Sequence, residues 1–131
     1  MMIRLRTLTL LLTLALLSGC GMLHSVAQSG KLLAPESFGL IPIAPHLYVE
    51  AGTDEATRDR LRADMDRAEA AIRRAFGSVS ARPTVHACVT EKCYASFGGR
   101  SDVAKVFGQR ILLSQRGLNW HFLAHEWAHA E

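Results

Sequence analysis

The sequence predicts an α+β fold: a small mixed sheet, one amphipathic helix and one buried helix that contains a histidine motif. Three observations support this prediction. Apolar residues recur every three or four positions over one long segment, short apolar runs flank that segment, and strands and helices do not alternate regularly. The 131 residues are enough for one small domain with its core and too few for two.

Residues 1–19 are excluded from this fold. Arg4 and Arg6 precede an almost unbroken apolar stretch of ten residues, 8–17, and the segment contains no acidic residue. This pattern predicts a secretory signal, because ten residues are too few to cross roughly 30 Å of hydrocarbon as a helix. Its removal lowers the net charge from +3 to +1. Since the remaining charges of both signs are interleaved, we expect no nucleic-acid partner.

The signal ends in a sequence that resembles the lipobox of bacterial lipoproteins. The last residues before the thiol of Cys20 are Leu17 and then the small residues Ser18 and Gly19. The resemblance implies that Cys20 is acylated and anchors the mature chain to the lipid bilayer. Gly21 follows it, where lipoproteins of the inner membrane often have Asp, so we expect the outer membrane of a bacterial cell envelope, facing the periplasm. An ordinary signal peptide with a chance cysteine is the alternative.

A stretch rich in Gly, Ser and Pro follows the cysteine and has no periodic apolar pattern. It predicts a flexible tether over residues 20–45, with the folded domain over residues 46–131. Leu40, Ile41 and Ile43 are the residues of this tether that are suited to pack on the domain.

The domain begins with a predicted strand at residues 46–50, followed by the most regular helix of the chain. Thr53 or Asp54 supplies the N-cap and Gly77 the C-terminal stop. Between them apolar side chains recur at steps of four and three residues on one face: Leu61, Met65, Ala68, Ile72 and Ala75. An amphipathic helix is therefore expected over residues 54–76.

Two further strands and a second helix complete the predicted elements. Residues 83–89 form one strand and residues 106–113 contain the other, and the glycine-rich stretch 96–105 between them predicts a flexible loop. The last segment, residues 118–131, is apolar almost all round, which is typical of a buried helix.

The last predicted helix contains the motif HExxH, formed by His125, Glu126 and His129. Histidines four positions apart lie on one helical face, about 6 Å apart along the axis, so both rings are able to bind one tetrahedral zinc ion. Glu126 is placed to accept a proton from a water molecule that zinc activates. In a chain of this composition the spacing is expected by chance only about 0.01 times.

This motif resembles the active-site helix of the zincin-type metallopeptidases, in which HExxH follows a strand of a small mixed sheet. The resemblance implies zinc held by His125 and His129, Glu126 as the general base, and a peptide or protein substrate. It also implies a substrate-binding strand that pairs with an extended peptide. That strand consists of Ile111, Leu112, Leu113 and Ser114.

Zincins use a third protein ligand downstream of the second histidine, and this chain ends two residues after it. Glu131 is a poor substitute, because two residues along a helix turn its side chain about 200° from that of His129. We therefore expect a zincin-like fold that is incomplete at its C-terminus. His121, one turn before the motif, is expected at the surface or beside the ligands. The alternative ligands lie upstream: His46, His86, Glu91 and Asp102.

Cys88 and Cys93 are the thiols that remain once Cys20 is acylated. In an oxidising periplasm, an isolated pair so close together predicts a disulfide, and metal binding by the pair, which needs two more ligands, is the alternative. Tyr94 and Arg100 are candidate donors to an oxyanion by residue type alone, and neither is assigned.

Two functions follow from these features. The first is a membrane-anchored zinc-dependent hydrolase, by resemblance a metallopeptidase, that uses zinc-activated water with Glu126 as general base. The second is a non-catalytic envelope lipoprotein that binds a partner and whose HExxH is structural or vestigial.

Overall fold

The structure, a computed structural model, describes residues 27, 28 and 30–131. The predicted signal segment and the lipidation site at Cys20 lie outside these residues. The strands are β1 (Leu40–Ala44), β2 (Leu47–Glu50), β3 (Thr84–Ala87), β4 (Ala104–Phe107) and β5 (Arg110–Leu113). The α-helices with defined bounds are α1 (Glu55–Phe76), α2 (Glu91–Ser96) and α3 (Trp120–Ala130).

The strands form one mixed sheet in the order β1-β2-β3-β5-β4. The three central strands β2, β3 and β5 are parallel, and β1 and β4 pair antiparallel with their neighbours at the two edges. The predicted α+β class with a small mixed sheet is therefore confirmed. Helices α1 and α3 pack against each other, and α3 also contacts β4 and β5.

Helix α1 follows the predicted pattern at both ends. The Asp54 carboxylate accepts a hydrogen bond from the backbone N–H of Thr57 at 2.9 Å, which satisfies a donor that the first turn leaves free. Gly77 ends the helix with a positive φ of 79°, a conformation that glycine adopts without strain. The buried stripe between these ends includes Leu61 and Ile72, so the predicted helix is correct to within one residue.

The main core lies on the face of the sheet that α1 and α3 cover, which we call the helix face. Side chains of a strand alternate between the two faces, so Ile111 and Leu113 of β5 point into this core and Leu112 points to the opposite face. Leu123 and Trp127 bring α3 onto the same core.

The opposite face, which we call the disulfide face, is covered by α2 and by an N-terminal segment of two 3-10 turns, Lys31–Leu33 and Pro35–Phe38. The cluster here contains Leu32, Leu40, Cys88, Cys93, Tyr94, Phe97 and Leu112. Cys88 and Cys93 are joined by a disulfide, with their Cα atoms 5.4 Å apart, so the end of β3 is linked covalently to α2. The disulfide favoured by the spacing is present.

The boundary of the predicted tether at residue 45 is wrong. Strand β1 belongs to the sheet, Leu40 is buried on the disulfide face, and Ile41 and Ile43 pack against the core of the helix face. Pro42 obscured this strand in the sequence, and an edge strand tolerates it because only one side of the strand needs hydrogen bonds. The folded domain therefore includes most of the stretch between residues 30 and 45.

The segment after β3 also differs from the prediction. The single strand expected within residues 106–113 is a hairpin of β4 and β5, reversed at Gly108, whose φ is 58°. The expected flexible loop over residues 96–105 begins at the last residue of the unpredicted helix α2 and ends within β4. The Thr90 hydroxyl caps this helix by accepting from the backbone N–H of Cys93 at 3.1 Å.

His86 of β3 is a buried histidine on the disulfide face, stacked on the ring of Tyr48 with 5.7 Å between centroids. Its Nδ1 lies 3.2 Å from the carbonyl oxygen of Ile111, which only accepts, so Nδ1 carries the proton. Its Nε2 is buried and has no hydrogen-bond partner among the described residues. Burial lowers the pKa of His86 from its ordinary value, although the bond to Ile111 opposes this shift.

We expect this histidine to make the fold sensitive to mild acid. The unfolded chain binds a proton at His86 near pH 6.5 and the folded chain binds it only at lower pH, so the free energy of unfolding falls as the pH drops below about 6.5. In denaturant titrations at pH 7.5 and 5.5, His86→Phe should lose part of this difference. The exposed His46 has a φ of 59°, which Asn tolerates, so His46→Asn is the control and should keep the difference. An unchanged difference in His86→Phe would refute the assignment.

Candidate metal centre

Helix α3 begins at a side-chain cap and packs on the core along one side. The Asn119 side-chain oxygen accepts from the backbone N–H groups of His121 and Phe122 at 3.0 and 3.3 Å. Leu123 and Trp127, four positions apart, are the buried residues of the helix. Trp127 also donates from Nε1 to the carbonyl oxygen of Ala81 at 3.2 Å, so the inner side of α3 is fixed to the chain before β3.

The prediction that α3 is buried all round is wrong. His125 and His129 are exposed, and Phe122 is 40% exposed. The sequence suggested burial because most side chains of the helix are apolar, but the described fold covers only the side that carries Leu123 and Trp127. The face with both histidines is open to solvent.

The two histidines of the motif converge. The Nε2 atoms of His125 and His129 lie 3.2 Å apart, with ring centroids separated by 4.9 Å and ring planes at 84°. Two nitrogen ligands of a tetrahedral zinc ion, each 2.0–2.1 Å from the metal, are roughly 3.3 Å apart. The same distance also suits a hydrogen bond between two neutral rings. The separation of the two Nε2 atoms therefore matches that of two ligands of one zinc ion.

Glu126 lies next to the first histidine and is half-buried. Within the described part of the chain, none of the hydrogen bonds or ion pairs involves its carboxylate. Burial raises the pKa of Tyr94 from its ordinary value, and the negative charges of Asp102 and Glu126 raise it further. The charge of Glu126 is thus close enough to Tyr94 to disfavour its ionisation.

Across the described residues there is no cluster of three His, Cys, Asp or Glu side chains able to hold a metal ion. His121 is exposed and stacks on Trp120, with 3.7 Å between ring centroids. The structure thus brings the two histidines of the motif together and does not add His121 to them.

The upstream residues considered as ligands have other environments. His86 is buried on the disulfide face, opposite α3, and His46 is exposed in the turn between β1 and β2. Glu91 is exposed at the start of α2. Asp102 accepts from the backbone N–H of Arg100 at 2.9 Å and pairs with Lys105 at 3.3 Å.

Glu131 points away from the histidine pair, as its helical position predicts. Its carboxylate accepts hydrogen bonds from the Ser80 hydroxyl, from the Ser80 backbone N–H at 3.1 Å and from the Ala81 backbone N–H at 3.2 Å. These hydrogen bonds, first of all the one from the Ser80 hydroxyl, lower the pKa of Glu131. Glu131 thus fastens the end of α3 to the segment between α1 and β3.

The prediction that residues 111–114 pair with a peptide substrate is wrong. Strand β5 is an interior strand, paired with β3 on one side and β4 on the other, so it has no free edge for a peptide. Ser114 is buried, and its hydroxyl and backbone N–H both donate to the carbonyl oxygen of Val103. All four residues of the predicted substrate-binding strand are buried: Ile111, Leu112, Leu113 and Ser114.

The open edge beside α3 is β4, which pairs with β5 alone among the described strands. The sequence predictions divided β4 between the flexible loop over residues 96–105 and the strand within residues 106–113. The signal that would have separated β4 from β5 is Gly108, because a tight hairpin turn favours glycine at a positive φ.

The fold and the site together define an α+β domain with a convergent histidine pair on an open helical face. Comparison with protein-family models, curated proteins and solved structures finds no match to this chain. Among the described residues, no helix has the length and apolar character required to cross a membrane.

Proposed function

We propose that this protein is a zinc-dependent hydrolase, acting on peptides, in which His125 and His129 hold the metal. The single observation that supports this proposal most strongly is the 3.2 Å separation of their Nε2 atoms on a solvent-open face. Inner residues of the same helix fix its position, so the pair is oriented before any metal binds.

Zinc, when bound, supplies a Lewis acid that polarises a carbonyl group and makes water more acidic. Glu126 is the proton acceptor on the protein side. Its carboxylate is half-buried and forms no hydrogen bond or ion pair among the described residues. The same carboxyl then donates the proton to the leaving amine, as general acid–base catalysis requires.

The edge of β4 supports a peptide as the substrate class. An extended peptide binds a free sheet edge through main-chain hydrogen bonds, largely independent of its side chains. Among the described strands, β4 (Ala104–Phe107) has such an edge, and α3, which carries the histidine pair, packs against it. We therefore place the substrate along β4.

The proposal includes the cell-envelope location. The lipobox-like sequence that ends at Cys20 supports a lipid-anchored protein of a bacterial envelope, most simply at the outer membrane on its periplasmic side. A disulfide between Cys88 and Cys93 suits an oxidising compartment of this kind.

Metal analysis of the purified protein tests the site. We expect about one zinc per chain after incubation with zinc and removal of the excess, and a loss of this zinc in His125→Ala. His121→Ala is the matched control, since His121 lies one turn away on the same helix and is equally exposed. Equal zinc content in wild-type protein and His125→Ala would contradict the proposal.

The non-catalytic alternative is favoured by one observation. Catalytic zinc sites usually have three protein ligands, and the described residues supply two in contact. Under this alternative the histidines form a hydrogen-bonded pair, or bind metal without turnover, and the lipoprotein binds a partner.

A further inference from the structure

Large apolar side chains are exposed at four positions in the described part of the chain, and two of them lie in one short segment. Leu33 is 69% exposed and Phe38 is 47% exposed, both within the two N-terminal 3-10 turns. The other two, Phe76 and Phe122, lie on α1 and α3. We call Leu33 and Phe38 the N-terminal patch.

The segment that bears the N-terminal patch is packed firmly on the domain. Leu32, next to Leu33, is buried in the cluster of the disulfide face. The ring of Phe38 contacts that of Phe97 edge-on, with 6.5 Å between centroids. The Lys31 ammonium donates to the carbonyl oxygen of Ser96 at 3.0 Å. The N-terminal patch is thus held in a fixed orientation, and binding through it costs little ordering entropy.

The N-terminal patch and the histidine pair belong to opposite sides of the sheet. The segment that bears the patch packs on the disulfide face beside α2, whereas α3 packs on the helix face. A surface that binds Leu33 and Phe38 therefore leaves the side with His125 and His129 directed away from it.

Leu33 also lies close along the chain to the proposed anchor. It is 13 positions after Cys20, so the intervening chain spans at most about 45 Å even when fully extended. A tether of this length keeps the domain at a high effective concentration next to the bilayer. Under this condition, contact through two apolar side chains is enough to orient a domain that would not bind membranes by itself.

We propose that the N-terminal patch contacts the lipid surface to which Cys20 is anchored and directs the histidine pair toward the periplasm. This inference rests on the lipid anchoring included in the proposed function. It identifies the accessible substrates as peptides in the aqueous phase, because the metal centre faces away from the bilayer.

The full-length lipidated chain tests this inference in vesicles of phosphatidylethanolamine and phosphatidylglycerol. Ser37 is exposed beside the N-terminal patch, and Ser37→Cys takes an environment-sensitive dye without altering the patch itself. Acylation of Cys20 and the Cys88–Cys93 disulfide leave the introduced thiol as the one that reacts. The control dye is attached through Ala63→Cys, exposed on α1.

We expect a blue shift of dye emission, and quenching by nitroxide lipid, at position 37 and neither at position 63. Adding Leu33→Asp and Phe38→Asp should abolish the shift at position 37. Adding Phe76→Asp and Phe122→Asp should leave it unchanged, since these side chains are equally apolar and lie elsewhere.

The possible outcomes distinguish lipid contact by the N-terminal patch from anchoring through Cys20. If the protein binds vesicles but the dye emission is the same at positions 37 and 63, the proposed lipid contact of the N-terminal patch is overturned. Anchoring through Cys20 is then still supported. The Cys20→Ser variant cannot be acylated and should remain in solution. If the wild-type chain also remains in solution, both the lipid contact and the anchor are overturned. A shift at position 37 that grows with the protein-to-lipid ratio shows contact between two copies and also overturns the lipid assignment.

Discussion

Glu126→Gln is expected to lower peptide hydrolysis at least about a hundredfold while leaving the fold and the zinc content unchanged. General acid–base groups contribute about 10²- to 10⁴-fold to enzymatic rates, and an amide does not accept a proton at neutral pH. Gln has nearly the same size as Glu. Because none of the side-chain hydrogen bonds or ion pairs among the described residues involves the Glu126 carboxylate, the substitution removes neither.

The measurement compares zinc-loaded wild-type protein and Glu126→Gln on fluorescein-labelled casein and on an internally quenched peptide library. Zinc content is determined on the same samples, and Glu69→Gln, an exchange of the same kind on α1, is the control that should retain full activity. Equal hydrolysis by Glu126→Gln and wild-type protein would exclude Glu126 as the base. Zinc binding with no hydrolysis by either protein would favour the non-catalytic function.

Trp127→Ala is expected to lower the free energy of unfolding by about 3–5 kcal/mol. Trp127 is 2% exposed and packs in the core of the helix face, where its removal leaves a cavity between α1, α3 and the sheet. It also leaves the carbonyl oxygen of Ala81 without its hydrogen bond. A domain of this size is stable by roughly 5–15 kcal/mol, so the loss is a large part of the total.

Trp120→Ala is the matched control, since Trp120 lies on the same helix but is only half-buried, against the outer side of α1. We expect it to cost about 1 kcal/mol. Denaturant unfolding followed by far-ultraviolet circular dichroism gives both values without relying on tryptophan emission. Equal losses in the two variants would show that Trp127 is not the residue that docks α3. Zinc affinity should fall together with stability in Trp127→Ala, because the histidine pair depends on the position of this helix.

Features determined by neighbouring residues were predicted well from the sequence. The spacing of Leu61, Ala68 and Ile72, with Asp54 and Gly77 at the ends, is a local pattern that requires no knowledge of the rest of the fold. The convergence of His125 and His129 is local for the same reason, because four residues make about one helical turn.

Features determined by distant residues were predicted poorly. Strand β1 contains Pro42, and only its pairing with β2 makes the segment a strand. Strand β5 has the apolar side chains of any buried strand, so Ile111 and Leu112 do not reveal whether its edges are free. The exposure of α3 depends on which elements cover it, and its nearly uniform apolar composition contains no information about that.

The attachment of α3 has a consequence for the order in which this protein folds. Trp127 and Glu131 bind Ala81 and Ser80, 46 and 51 positions earlier in the chain, so the helix docks through contacts of long sequence separation. Such contacts form late, because closing a long loop costs entropy before the contact repays it. We therefore expect the docking of α3, and with it the placement of the histidine pair, to be a late step of folding. We therefore expect an incompletely folded chain to lack the fixed orientation of His125 and His129 that the docked helix provides.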